Sequence, residues 1–220
     1  MMDEDNGKLA VNGYNDRGST WATRTFLEES WNSITHAFGA GMALCFLLFN
    51  NNSLQSKFLA TGLLLTYTLS VIYHGISRES IEKKEFLRML DMTAVHITIG
   101  TTIIAYLLAV SPPNLLLLSI CPTTLSVAGV FFVVLRYDTI NFSRYSLISY
   151  ILNSVMGCGI LYAAGVRVGF LGSTFIAGLI AYILGLAFYM RDHRPWYHTA
   201  WHVCVLVASI LHMYGVYCYT

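Results

Sequence analysis

Residues 197–217 read YHTAWHVCVLVASILHMYGVY, from Tyr197 to Tyr217 without a single Asp, Glu, Lys or Arg. A helix that crosses a bilayer needs about 20 mostly apolar residues, so this stretch is long enough to span one. Six more stretches of that kind lie upstream, at about 31–49, 54–76, 91–110, 115–135, 145–165 and 168–190. Pro112 and Pro113 end the third, because proline lacks the helix donor and clashes with the preceding turn. The whole composition agrees: 55% of the 220 residues are hydrophobic, 11% are charged, and the mean hydropathy is +0.57. A soluble domain carries about 25% charged residues. The expectation is an all-α, polytopic membrane protein, a bundle of seven transmembrane helices over residues 28–220 behind a polar tail at 1–27.

The same arithmetic excludes other classes. A net charge of +1 is too weak for a nucleic-acid binder, and 14% aromatic residues do not suit a disordered chain. The tail has no apolar core after a basic start, so it does not read as a secretory signal; a short interfacial helix around Trp21 to Glu29 is expected there. Cys45, Cys121, Cys158, Cys204 and Cys218 are scattered singly through apolar stretches and read as small packing residues.

Basic residues in short loops set orientation. Lys8, Arg17, Arg24, Arg78, Lys83, Lys84, Arg88, Arg136, Arg144, Arg191 and Arg194 fall on one side of a seven-span alternation, and only Lys57 and Arg167 on the other. Eleven against two places the amino terminus in the cytoplasm and the carboxyl terminus outside.

Ionisable groups within spans are expensive, and each one marks a candidate site. Asp91 is the only carboxylate expected at a span edge. Thr66, Ser70 and His74 share a face of span two, four residues apart; Asp91, Thr98 and Thr102 share a face of span three; His198 and His202 are one turn apart at the start of span seven. Span two runs toward the cytoplasm, and spans three and seven start from it, so His74, Asp91, His198 and His202 come to one depth. Three imidazoles and a carboxylate at one level suit zinc, with His74, His198 and His202 as ligands and a fourth position for water. Asp91 could hold that water or orient a ligand, and Ser70 could donate to a developing oxyanion. Iron or another metal could use the same ligands. His36 reads as a helix-packing or interfacial histidine, His96 as a structural one, His193 as a solvated one, and His212 as too far along its helix to join the metal. Ser149, Asn153 and Gly157 read as a helix-contact stripe.

Four stretches together resemble the haemolysin III family: Glu29-Ser-Trp-Asn-Ser-Ile-Thr-His36, Ser70-Val-Ile-Tyr-His74, Leu90-Asp91, and His198-Thr-Ala-Trp-His202 followed by His212-Met-Tyr-Gly215. They are also similar to the progestin and adipoQ receptors, in a superfamily that includes alkaline ceramidases. The resemblance covers about residues 28–220. It implies a seven-helix hydrolase-like fold with zinc on His74, His198 and His202, and with Ser70 and Asp91 as the serine and aspartate of the site. The short tail and loops look like those of small bacterial-type members, which implies a multi-pass protein of an inner or plasma membrane with membrane lipids as its partners. The leading functional expectation is a zinc-dependent hydrolase of a lipid amide or ester. A cytolytic or pore-forming protein, a receptor-like protein with structural zinc, and a membrane scaffold stand beside it. Spans four and six lack the polar stripe that a conducting path needs, which weighs against a monomeric channel.

Overall fold

The computed structural model describes residues 24–49, 53–76, 81–136, 142–167 and 169–219. Residues 1–23 of the polar tail, the asparagines at 50–52 and Arg78 lie outside the described residues. Seven helices follow in order: α1 Phe26–Phe49, α2 Leu54–Gly75, α3 Ile81–Val110, α4 Leu115–Arg136, α5 Phe142–Ala163, α6 Phe170–Tyr189 and α7 Tyr197–Tyr219. Each is long and apolar enough to cross a membrane, and no strand occurs among the described residues. The protein is therefore a multi-pass integral membrane protein. Its outer surface agrees: Leu116, Leu117, Phe131 and Leu135 of α4 are exposed, as lipid-facing side chains must be in a bundle without a hydrophobic drive between its helices.

Helix starts are where the structure departs most from the sequence expectation. α3 has 30 residues, about 45 Å at 1.5 Å per residue, which exceeds a hydrocarbon core of about 30 Å. Hydropathy registers only its apolar part from Asp91, but the helix begins ten residues earlier. Lys83, Lys84, Glu85 and Arg88 thus ride on α3 rather than in a loop, and Lys84, Glu85 and Arg88 are buried. Likewise α1 starts at Phe26, five residues before the expected edge, and carries Glu28 and Glu29, both buried, in its first turn. Asp91 is consequently not the only carboxylate at a span edge.

α3 is the hub, packing against α2, α4, α5 and α7, while α7 packs against α1, α2, α3 and α6. The backbones of α5 and α6 are not packed on one another. Polar groups stitch α2 to α3: Thr66 Oγ1 donates to the Ala94 carbonyl at 3.0 Å and pairs with Thr98, whose hydroxyl donates to the Gly62 carbonyl at 3.0 Å. Hydrogen bonds of this kind are satisfied inside the bundle because lipid offers no alternative. Half of the interior is apolar, with Leu59, Leu63, Ile103, Leu107, Leu171, Met213 and Val216 in one cluster. The buried charged residues gather at the other end, where α1, α3 and α7 start and α2 finishes.

Candidate metal centre

His74 sits in the last turn of α2, and His198 and His202 in the first two turns of α7. One ligand atom from each imidazole lies within 4.8 Å of the others. His198 Nε2 and His202 Nε2 are 3.1 Å apart. Two nitrogens on a tetrahedral zinc at 2.0–2.1 Å would be separated by roughly 3.4 Å, so this pair is already at ligand spacing. His74 Nε2 is buried and has no hydrogen-bond partner among the described residues. The imidazole rings of His74 and His202 are 4.8 Å apart, and those of His74 and His198 5.2 Å. An orphaned nitrogen facing two closely spaced ones is a donor set that a metal ion would satisfy.

The other ring nitrogens face outward to partners. Glu29 Oε2 accepts from His74 Nδ1. His202 Nδ1 donates to the Asn32 carbonyl at 3.1 Å. His198 Nδ1 faces the Arg24 guanidinium at 3.0 Å and Asp192 Oδ2 at 3.7 Å. An acceptor on Nδ1 fixes ring orientation and tautomer for His74 and His202, and leaves their Nε2 lone pairs for a metal. Arg24 instead donates to His198 Nδ1, so the His198 Nε2 hydrogen must leave before that nitrogen ligates. Arg24 and Asp192 are themselves paired at 3.1 Å. Glu29 Oε1 is 3.8 Å from Lys84 Nζ and 3.9 Å from an Arg24 nitrogen. Lys84 also donates to the Tyr73 carbonyl at 2.6 Å, one residue before His74. A belt of buried charges from α1, α3 and the α6–α7 turn therefore backs the imidazoles.

Of the residues singled out from sequence, His74, His198 and His202 come together. Asp91 stands outside this ligand cluster and faces Ser70, the buried serine one turn before His74. His212 bonds the Tyr106 hydroxyl through Nδ1 at 3.1 Å, away from the cluster. His96 pairs with Ser149 Oγ at 3.1 Å and Asn153 at 3.3 Å, so it and the α5 stripe join α3 to α5 as a structural contact. His193 is exposed. All five cysteines are free.

Sequence reasoning missed two contributions from α1. Glu29 was expected to close a short interfacial helix and was not assigned to the site, but it accepts from His74 Nδ1. His36 was expected as a packing or interfacial histidine away from the site, but its ring lies parallel to that of His202, with centroids 3.6 Å apart and an interplanar angle of 7°. The signal was present: Glu29, Asn32 and His36 are spaced by three and four, one face of a helix.

Seven membrane-crossing helices with three imidazoles converging at one end define a polytopic integral membrane protein with a buried histidine cluster that could bind a metal. Residues 24–213 match the family described as Haemolysin-III related. The chain is 27% identical over 215 residues to "Hemolysin-3" of Bacillus cereus, covering 91% of this chain and 95% of that protein. It is also 27% identical over 199 residues to "Hemolysin-3 homolog" of Bacillus subtilis (strain 168), covering 84% and 91%. The chain belongs to the haemolysin-III related family.

Proposed function

We propose that this protein is a zinc-dependent intramembrane hydrolase that cleaves a lipid amide or ester. One observation carries the reading: two imidazole nitrogens at ligand spacing and a third without a partner face each other, with every opposite ring nitrogen engaged. Three neutral nitrogen donors with room for a further ligand are what a catalytic zinc site uses, whereas a structural site closes all four positions with protein. Held by His74, His198 and His202, zinc supplies Lewis acidity toward an acyl carbonyl and brings the pKa of a water toward about 7.

The chain's own residues do the rest. Asp91 takes a proton from the attacking water and returns it to the leaving amine or alcohol, while the water oxygen bonds to the acyl carbon and the amide or ester bond breaks. Ser70, beside Asp91, donates its hydroxyl hydrogen to the carbonyl oxygen as negative charge develops there. The belt of Arg24, Glu29, Lys84 and Asp192 holds the ligand rings in place. The unpacked seam between α5 and α6 supports entry of an acyl chain from the bilayer. The excess of basic residues at the histidine end orients that end, and the amino terminus, to the cytoplasm.

The names of the two relatives favour a second reading, a cytolytic membrane protein. The apolar cluster of Leu59, Leu63, Ile103, Leu107, Leu171, Met213 and Val216 argues against a polar path through one chain. One experiment separates the two: zinc-loaded protein is reconstituted with long-chain fatty-acyl amides and esters, and released fatty acid is measured by mass spectrometry alongside dye leakage. Fatty acid release that disappears in Asp91→Asn supports the hydrolase. Leakage that persists in Asp91→Asn, with no fatty acid released, contradicts it.

A further inference from the structure

Among the described residues, six of the seven histidines are placed by a partner or by water. His74, His96, His198, His202 and His212 each have a ring nitrogen in a hydrogen bond, and His193 is exposed. His36 is the exception. It is 5% exposed, and neither Nδ1 nor Nε2 has a hydrogen-bond partner. An imidazole must carry at least one N–H, and a donor left unmatched in a membrane interior is costly, since neither lipid nor bulk water answers it.

The neighbours of His36 are already committed. Tyr67 packs edge-on against it at 5.0 Å, but the Tyr67 hydroxyl donates to Ser209 Oγ at 2.7 Å. Tyr67 is also pinned from the other side: a Cβ at Gly39 would stand 2.6 Å from its ring, so the ring fits only because residue 39 is glycine. The other neighbour, His202, spends Nδ1 on the Asn32 carbonyl and turns Nε2 toward His198. Rearrangement of these groups would therefore break bonds already made.

One turn toward the start of α1, Asn32 repeats the pattern. It is fully buried; its Oδ1 accepts from Thr199 at 2.6 Å, and its Nδ2 has no partner. Asn32 and His36 are four residues apart, on one helical face. Both touch the His202 side of the cluster, Asn32 through its carbonyl and His36 through its stacked ring. α1 thus brings unspent N–H groups to the flank of the candidate metal centre.

We propose that His36, with Asn32, is a ligand-binding position: their free N–H groups hold a carbonyl oxygen of an uncharged acyl amide or ester lipid beside the histidine cluster. An unspent amide NH₂ and an imidazole N–H together offer a surplus of donors, which a neutral acceptor matches and an ammonium head group does not. The inference rests on the hydrolase reading for the substrate class, and it adds the residues that receive the acyl group. His36 is a contact for the ligand, while its ring face supports His202.

The test uses zinc-loaded full-length protein in detergent, titrated calorimetrically with a long-chain fatty-acyl ethanolamide and, in a parallel arm, with the matching alkane. His36→Phe keeps a ring against His202 and removes the N–H; His36→Gln returns a donor. Amide binding about tenfold weaker in His36→Phe, with zinc content and alkane binding unchanged and most of the affinity regained in His36→Gln, is the expected result. Unaltered amide affinity in His36→Phe overturns the inference, as does equal loss of amide and alkane binding. So does zinc-loaded wild type that takes up no amide. Failure of the hydrolase reading is seen separately, as amide that binds in a His36-dependent way but releases no fatty acid.

Discussion

Glu29 and His74 meet across the α1–α2 interface, with the carboxylate accepting the Nδ1 proton of the imidazole and Nε2 left facing His198 and His202. The carboxylate does three jobs at once. It fixes the tautomer of His74, holds the orientation of its ring, and balances Lys84 and Arg24 among buried side chains. Glu29→Gln keeps the shape and removes the charge; we expect zinc affinity to fall about 10- to 100-fold, read by competition with a chromogenic chelator.

Lys84 is fully buried, and it ties Glu29 on α1 to the Tyr73 carbonyl on α2. Removing one member of a buried charge set strands the others. Lys84→Met should lower stability by about 3 kcal/mol, read as a drop in thermal unfolding midpoint in detergent. A change on the surface scale, well under 1 kcal/mol, would mean that the belt is solvated.

Asp91 and Ser70 lie off the ligand cluster, so their loss should separate chemistry from metal binding. Asp91→Asn should keep its zinc and lose about 10²- to 10⁴-fold in kcat with acyl lipid. Ser70→Ala should likewise keep zinc and lose about 10²-fold. Loss of zinc from Asp91→Asn would instead make Asp91 a ligand.

Imidazole binds metal only when neutral, so protons compete with zinc for the three rings. The sign is therefore fixed: affinity falls as pH falls. Equilibrium dialysis from pH 8 to 5 should show progressive zinc release, and the ion should return when the pH is raised.

Orientation has its own check. Single cysteines placed at Lys57 and Arg167, in a variant without native cysteines, should react with an impermeant maleimide on intact cells. A cysteine at Arg194 should react only after permeabilisation. The reverse pattern would turn the histidine end outward.

The seven spans were legible because each crossing demands a long apolar run, a property that each stretch carries by itself. The metal-ligand candidates were legible for a similar reason. His198 and His202 announce a shared face at a spacing of four, and alternation of span direction brings His74 to their level. Glu29 was not legible as a site residue. An acid ahead of an apolar stretch looks like the end of a tail, and what makes it tolerable inside the bundle is His74, 45 positions away, and Lys84 on yet another helix. His36 was hidden in the same way: its ring stacks on a residue of the last helix, and its missing hydrogen bonds show only once every neighbour has been placed. Contacts that no local period encodes are the ones that packing alone discloses.

The central claim is that His74, His198 and His202 hold one zinc ion. Its most direct test is metal content per chain, by inductively coupled plasma mass spectrometry, of protein purified without added metal-affinity resin, for wild type and for His74→Ala, His198→Ala and His202→Ala. The account predicts close to one zinc per wild-type chain and loss of most of it in each single variant, with all four proteins folded by circular dichroism. Wild type without stoichiometric metal, or a full zinc complement retained in His202→Ala, would contradict it.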